Sequence, residues 1–234
     1  MNGSILNKNR GNMKILISNQ KMKEYSGSEF LTIELINEFL ERGYEVTLAT
    51  FKVGYPILNN LNVSEIKIID LSEKEKIEAL EEEYDIFWCH HVPTLYTILY
   101  NTKIKFKKLI FQSLSPFMSL ETVPLFYKDI SLILSNSIET KEKIVEETND
   151  KALNEKIIVI PNTVPKEYFI EKQKEYRLQK IAVVSNHVPE ELYKLGDVLK
   201  KEGIEVDYIG RGNTVKYVNR EFLDEYSLVK KKKK

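Results

Sequence analysis

The stretch that decides the fold is residues 13–50. It opens with Met13-Lys14-Ile15-Leu16-Ile17-Ser18, a short apolar run without helical spacing, which reads as a buried strand. Leu31, Leu35 and Phe39, flanked by Ile36 and Leu40, then recur at helical spacing and predict a helix from about Ser28 to Arg42. Ser26 with Glu29 three residues on has the form of a capping box, and Gly43 is the residue type that ends a helix. Tyr44 to Thr50 is apolar and β-branched at alternate positions and reads as a second strand. Strand, helix and strand in this order are the repeating unit of a parallel sheet.

The same alternation extends outward. Strands are predicted at 65–71, 84–89, 108–112, 130–135 and 156–160, and helices at 73–83, 93–100 and 137–149. Leu114 to Lys128 is aromatic and broken by prolines, so it reads as a loop holding a short helix. The expected fold is α/β, Rossmann-like, a mostly parallel sheet with helices on both faces. A ligand would sit outside the carboxyl ends of its strands.

Pro161-Asn162-Thr163-Val164-Pro165 closes this unit, and the charged segment that follows suits a linker. The pattern restarts with a strand at 181–185, a helix opened by Pro189, Glu190 and Glu191, a strand at 205–209 and a short helix at 220–225. The expected organisation is a leader at 1–12, a first domain at 13–170, a linker at 171–179, an incomplete second Rossmann-like domain at 180–229 and a lysine tail at 230–234. So few elements cannot cover both faces of a sheet. The second unit is therefore expected to lean on the first domain, a second copy or a partner chain.

Composition narrows the class. The chain has 234 residues, 42% hydrophobic and 30% charged, with 10 Phe and 13 Tyr to fill a core. Basic and acidic residues balance at 35 each, yet the terminal run Lys230 to Lys234 supplies part of that balance. The body is thus mildly acidic, which argues against nucleic acid as a partner. The single cysteine, Cys89, fits a reducing compartment, and no apolar signal core or membrane span is evident. The expected location is cytoplasmic.

Placed in order, several segments resemble the family 4 glycosyltransferases of the GT-B fold. They are Ser26-Gly27-Ser28-Glu29 with the helix and strand that follow, "DIFWCHH" (Asp85 to His91), "LILSNSIETKEKI" (Leu132 to Ile144) and "IIVIPNTVPKEYF" (Ile157 to Phe169). The resemblance spans residues 13–170 well and 180–229 loosely. It implies two facing Rossmann-like domains, transfer of a sugar from a sugar nucleotide to an acceptor hydroxyl, and no further cofactor. The family's second domain binds the donor with an Arg/Lys pair and a pair of spaced glutamates. Here the strand at Ile181 leads into Ser185-Asn186-His187-Val188-Pro189, which has no basic pair, and no glutamates at that spacing occur between Lys180 and Lys234. The donor half of the site is expected to be missing, and the chain to be truncated and inactive alone.

Each candidate residue has a functional and a structural reading. Gly27 lets backbone approach an acceptor or a donor phosphate at the start of a helix, with Ser28 beside it, or it only turns the chain. His90 and His91 follow a buried strand, where one could act as base on an acceptor hydroxyl because an ordinary imidazole titrates near neutrality. Otherwise one packs and the other is solvated. They cannot share one site unless the strand has already ended. With Cys89 they are too few to hold a metal. Asn136 and Ser137 open a helix with Glu139 placed to complete Asn136's cap, Ser137 being also a candidate substrate contact. Asn162 is a turn residue or a substrate contact, and His187 stands where a second domain would face a cleft. Lys103, Lys105, Lys107 and Lys108 read as a solvated lead into a strand or as a contact to an anionic membrane surface.

Three functions remain: a truncated sugar transferase, a non-catalytic partner subunit that binds an active enzyme, and another Rossmann-type nucleotide binder. The last is disfavoured because residues 19–28 hold one glycine, and a dinucleotide fingerprint needs three.

Overall fold

A computed structural model of the chain describes residues 13–24, 26–115, 117–162, 178–184 and 188–209. The first strand, β1 (Lys14–Ser18), is buried beyond its first residue, and the reason lies in its alternation. Ile15 and Ile17 face a cluster with Ile33 and Ile36, whereas Leu16 faces the opposite cluster with Leu95 and Ile98. A strand apolar on both sides is stable only as the middle of a sandwich of helices. Burying each of these side chains stabilises by about 1.5–3 kcal/mol. The exposed Lys14–Glu45 ion pair at 3.5 Å contributes at most about 1 kcal/mol. Apolar alternation therefore sets the register, and the surface charges follow it.

Helix α1 (Gly27–Glu41) follows, and β2 (Glu45–Thr50) then pairs parallel with β1, Ile15 beside Val46. Gly43 ends α1 as expected. At φ 78° it occupies the left-handed region, donating to Leu40 while Tyr44 donates to Phe39. The remaining elements of this unit are β3 (Lys67–Asp70), α2 (Lys74–Glu78), β4 (Glu83–Cys89), α3 (Val92–Asn101), β5 (Lys105–Ser113), β6 (Leu132–Ser135), α4 (Ile138–Thr148), α5 (Leu153–Lys156) and β7 (Ile157–Val159). The seven strands form one sheet in the order β3-β2-β1-β4-β5-β6-β7, every pair parallel.

This is the α/β, Rossmann-like arrangement, and its strand order positions the site. The chain builds outward from β1 in one direction, then returns to β4 and builds outward in the other. Right-handed crossovers then put α1 on one face and the later helices on the other. Ile33 and Ile36 of α1 belong to one core cluster, and Ile77, Leu95, Ile98, Ile144 and Leu153 of α2 to α5 belong to the other. The order reverses between β1 and β4, and open α/β sheets bind their ligands at the carboxyl edge of that switch point.

Several boundaries differ from the sequence reading. The acidic helix expected at 73–83 shrinks to α2, because Leu80 to Glu82 instead lead into β4. The strand expected at 108–112 begins at Lys105, since Glu83 and Tyr84 of β4 pair with Lys105 and Phe106. Lys105 and Lys107 are thus part of β5, where they meet Glu83 at 3.9 Å and Asp85 at 2.6 Å. They lie near the amino end of the strand, away from the switch point. Ser26 is the N-cap of α1, yet its side chain makes no capping hydrogen bond, so the capping box does not form. Glu29 accepts instead from the Ser28 hydroxyl at 2.8 Å. The cap of α4 moves one residue, from Asn136 to Ser137.

The chain divides into two compact units, Met1–Thr163 and Val164–Lys234. In the second, β8 (Lys180–Val184) and β9 (Glu205–Ile209) pair in parallel, with α6 (Glu190–Lys201) between them in sequence. Among the described residues its core holds Val188, Tyr193 and Tyr208, with Val183 and Val206 against them. The helix predicted at 220–225, most of the linker and the termini lie outside the described residues. Among the described residues no helix is long and apolar enough to cross a membrane.

Candidate functional site

The switch point gathers an unusual number of polar side chains into an apolar interior. Ser18, Asn19, Thr32, His90, His91 and Thr94 are all buried there. β4 ends at Cys89, so the two histidines lie in the connection to α3 and not on the strand. That removes the objection that adjacent strand residues face opposite ways.

The polar groups are tied to one another. Thr94 Oγ1 donates to the His91 carbonyl at 2.8 Å and lies 2.9 Å from Ser18 Oγ. A hydroxyl has one proton, so the Ser18 hydroxyl donates to Thr94. The ends of β1 and β4 are thereby joined through side chains as well as by the His90 N–H to Ser18 carbonyl bond of 3.3 Å. Asn19 Nδ2 donates to Thr32 Oγ1 at 3.0 Å, and Thr32 donates to the Ser28 carbonyl at 2.8 Å. This chain fixes the first turn of α1 over the end of β1. Asn19 and Thr32 were not singled out in the sequence. The only signal was an Asn directly after a buried strand, a position that favours local hydrogen bonding.

Around this frame, His91 Nδ1 accepts the N–H of Gln20 at 3.1 Å. Its Nε2 lies 3.8 Å from Glu121 Oε1, both side chains being nearly buried. Glu121 also accepts the N–H groups of Leu114 and, at 2.7 Å, Ser115. Glu121 sits in a 3-10 turn, Ser119–Glu121, inside the aromatic loop, and sequence reading gave no sign of it. Burial raises its carboxyl above the usual range, against the two backbone N–H groups that lower it.

His90 is wholly buried, and neither ring nitrogen has a hydrogen-bond partner among the described residues. Burial, with a smaller contribution from His91, pushes its imidazole down to about 3. Burial pushes His91 down to about 4. The expectation of a base near neutrality is corrected: both rings are neutral at pH 7 and weakly basic. The His91–Glu121 contact is accordingly not an ion pair. Cys89, whose thiol is 3.2 Å from the His91 carbonyl, is pushed up to about 11 by burial and stays protonated. Among the described residues no three His, Cys, Asp or Glu side chains group as metal ligands.

The other candidates are placed as follows. Gly27 is the first residue of α1 and exposed, with open space where a Cβ would point. Ser28 is beside it. Ser137 lies beyond β6, two strands from β4 and so about 10 Å away. Its hydroxyl accepts the Thr140 N–H at 3.1 Å, and Asn136 braces the turn by donating to the Leu114 carbonyl at 2.6 Å. Asn162 is exposed beyond β7, about 14 Å from β4 by strand count. The geometry brings Gly27, Ser28, His90 and His91 to the switch point, while Ser137 and Asn162 stand apart. His187 lies outside the described residues.

No protein-family model and no curated protein matches the chain. Among solved structures it is similar to a crystal structure of a glycosyltransferase from Rickettsia africae ESF-5, with a TM-score of 0.57 and 15% identity over 94% of this chain. The match spans 64% of the length of that chain. At this identity the likeness is one of fold: the protein has a glycosyltransferase-like, Rossmann-type α/β architecture.

Proposed function

We propose that the chain is a glycosyltransferase-like protein of the family 4, GT-B kind, which binds a sugar nucleotide or its acceptor hydroxyl at the switch point between β1 and β4. On this reading residues 13–170 are the acceptor-side body, and the segment from 180 on belongs to a donor-side domain. The observation that carries this reading is His90. A buried polar group without a partner costs about 1–3 kcal/mol, and this one sits where open α/β sheets bind ligands. A neutral imidazole there suits hydrogen bonding to a hydroxyl or phosphate oxygen better than proton abstraction. Gly27, with open space where a Cβ would point, favours close approach of an anionic or hydroxylated group to the start of α1.

The chain alone does not turn over, on this account, because 181–189 offers no basic pair to offset leaving-phosphate charge. Cys89, a buried free thiol, supports a reducing, cytoplasmic setting. The test is thermal shift of the whole chain against UDP-, GDP- and ADP-sugars, followed by transfer assays. A ligand at 100 times its Kd stabilises by about 2.7 kcal/mol. A shift with at least one sugar nucleotide and no transfer is expected. No shift with any of them, or an equal shift with NAD, removes the reading.

A further inference from the structure

A buried amide near the carboxyl end of β5 has one end pinned and the other unused. Trp88 Nε1 donates to Gln112 Oε1 at 2.9 Å. An indole nitrogen only donates, so the oxygen of the carboxamide must face Trp88 and its NH2 group must point elsewhere. Gln112 is the next-to-last residue of β5 and only 4% exposed. Its Nε2 has no hydrogen-bond partner among the described residues. Trp88 packs against the core cluster that α1 covers, its ring centroid 5.9 Å from that of Phe39. The amide is thus held on the α1 face of the sheet with its donor end free.

Register places this donor next to His90. Cys89 pairs with Phe111, so His90 and Gln112 come next on neighbouring strand ends, whose backbones run about 5 Å apart. The His90 ring is wholly buried and without a partner among the described residues, so amide and imidazole do not bond each other. Ser113 also keeps an unpartnered hydroxyl. Alternation puts it with Phe111 on the opposite face, so it does not share this place. Two deeply buried neighbours with unused polar atoms are a costly arrangement unless a ligand supplies the partner. Their hydrogen-bonding capacity says which group that is. A neutral imidazole offers one donor and one acceptor, and the amide offers two donors. A hydroxyl both gives a proton and accepts, so it can use both side chains. A phosphate oxygen only accepts and would leave the unprotonated imidazole nitrogen unpaired.

We propose that Gln112 is a specificity-determining residue whose NH2 group, oriented by Trp88, grips a hydroxyl of a sugar nucleotide together with His90. Gln112 has this role on the reading above that the carboxyl edge binds such a ligand. Trp88 acts through the amide and is a positioning residue.

The test is titration calorimetry of the full chain, a Gln112→Met variant and a Trp88→Phe variant. The ligands are the sugar nucleotide with the largest thermal shift and the matching dideoxynucleoside diphosphate, which keeps the phosphates but lacks the sugar and the ribose hydroxyls. Both variants lose the Trp88–Gln112 bond, and only Gln112→Met removes the donors. Gln112→Met is expected to weaken the sugar nucleotide by about tenfold or more, and Trp88→Phe by less than about threefold. Neither should alter affinity for the dideoxy compound. Equal losses in the two variants would mean that the amide only braces the fold. An equal loss for the dideoxy compound would put the contact at phosphate or base, and parent-like binding by Gln112→Met would remove the residue from the site. Each of these overturns the proposal and leaves the ligand reading standing. A parent chain that binds no sugar nucleotide overturns both.

Discussion

His91 Nδ1 accepts the backbone N–H of Gln20 at 3.1 Å, so the residue that caps α3 also holds the loop leaving β1. One imidazole thereby fixes both sides of the switch point. The acceptor role requires an unprotonated Nδ1, which leaves the proton on Nε2, the nitrogen facing Glu121.

Replacing this ring tests the clamp. His91→Ala should leave the Gln20 N–H without its acceptor and destabilise the first unit by about 1–3 kcal/mol in urea titration. Hydrogen exchange at Gln20 should accelerate with it. Unchanged protection at Gln20 would mean that the loop is held by something else.

Glu121 offers a sharper comparison, because its acceptor capacity and its charge can be separated. Glu121→Gln keeps an oxygen for the Leu114 and Ser115 N–H groups and should be tolerated within about 1 kcal/mol. Glu121→Ala removes the oxygen and should cost about 1–3 kcal/mol. Equal losses in urea melts would show that the charge, and not the hydrogen bonds, anchors the loop after β5.

The buried histidines predict an acid-sensitive fold. With folded values of about 3 and about 4, both lie below the ordinary 6.5. As pH falls through 6.5 the unfolded chain takes up protons that the native state refuses, so stability is full above that value and is lost on the way down. At pH 5 each imidazole should lower stability by about 2 kcal/mol. The raised carboxyl of Glu121 acts in the opposite sense, one group against two. Urea midpoints at pH 7 and pH 5 measure the difference, and His90→Gln should flatten the profile. A flat profile in the parent chain would contradict the burial of these rings.

Gly196 predicts a packing defect that a second substitution relieves. A Cβ there would meet the Tyr208 hydroxyl at 1.9 Å, so Gly196→Ala should destabilise α6 against β9 by about 1–3 kcal/mol. Tyr208→Phe removes the clashing atom and should recover part of the loss. Hydrogen exchange across residues 188–209 reads both effects, and additive losses in the double variant would refute the close approach.

Much of the fold was legible because its signals are local. Ile15, Leu16 and Ile17 announced a strand covered on both sides, and Gly43 marked a helix end that only a left-handed residue completes well. The boundaries of β5 were not legible. Lys105 and Lys107 look like a solvated lead-in, and they become strand only through pairing with Glu83 to Asp85, which are distant in sequence. The site shows the same division. His90 and His91 were visible as polar residues after an apolar run. Their depressed basicity, the Asn19–Thr32 brace and the role of Glu121 arise from burial and long-range contacts that no spacing reveals.

The most direct test of the central claim uses the fact that the chain contains only 3 histidines. With ring-labelled histidine, His90→Gln and His91→Gln assign the signals of the parent chain by difference. Titration with the sugar nucleotide that gives the largest thermal shift should then move the His90 ring nitrogens first, as an orphaned imidazole gains a hydrogen-bond partner. Saturation of the protein with no change at His90 or His91 would place ligand binding elsewhere and contradict the account.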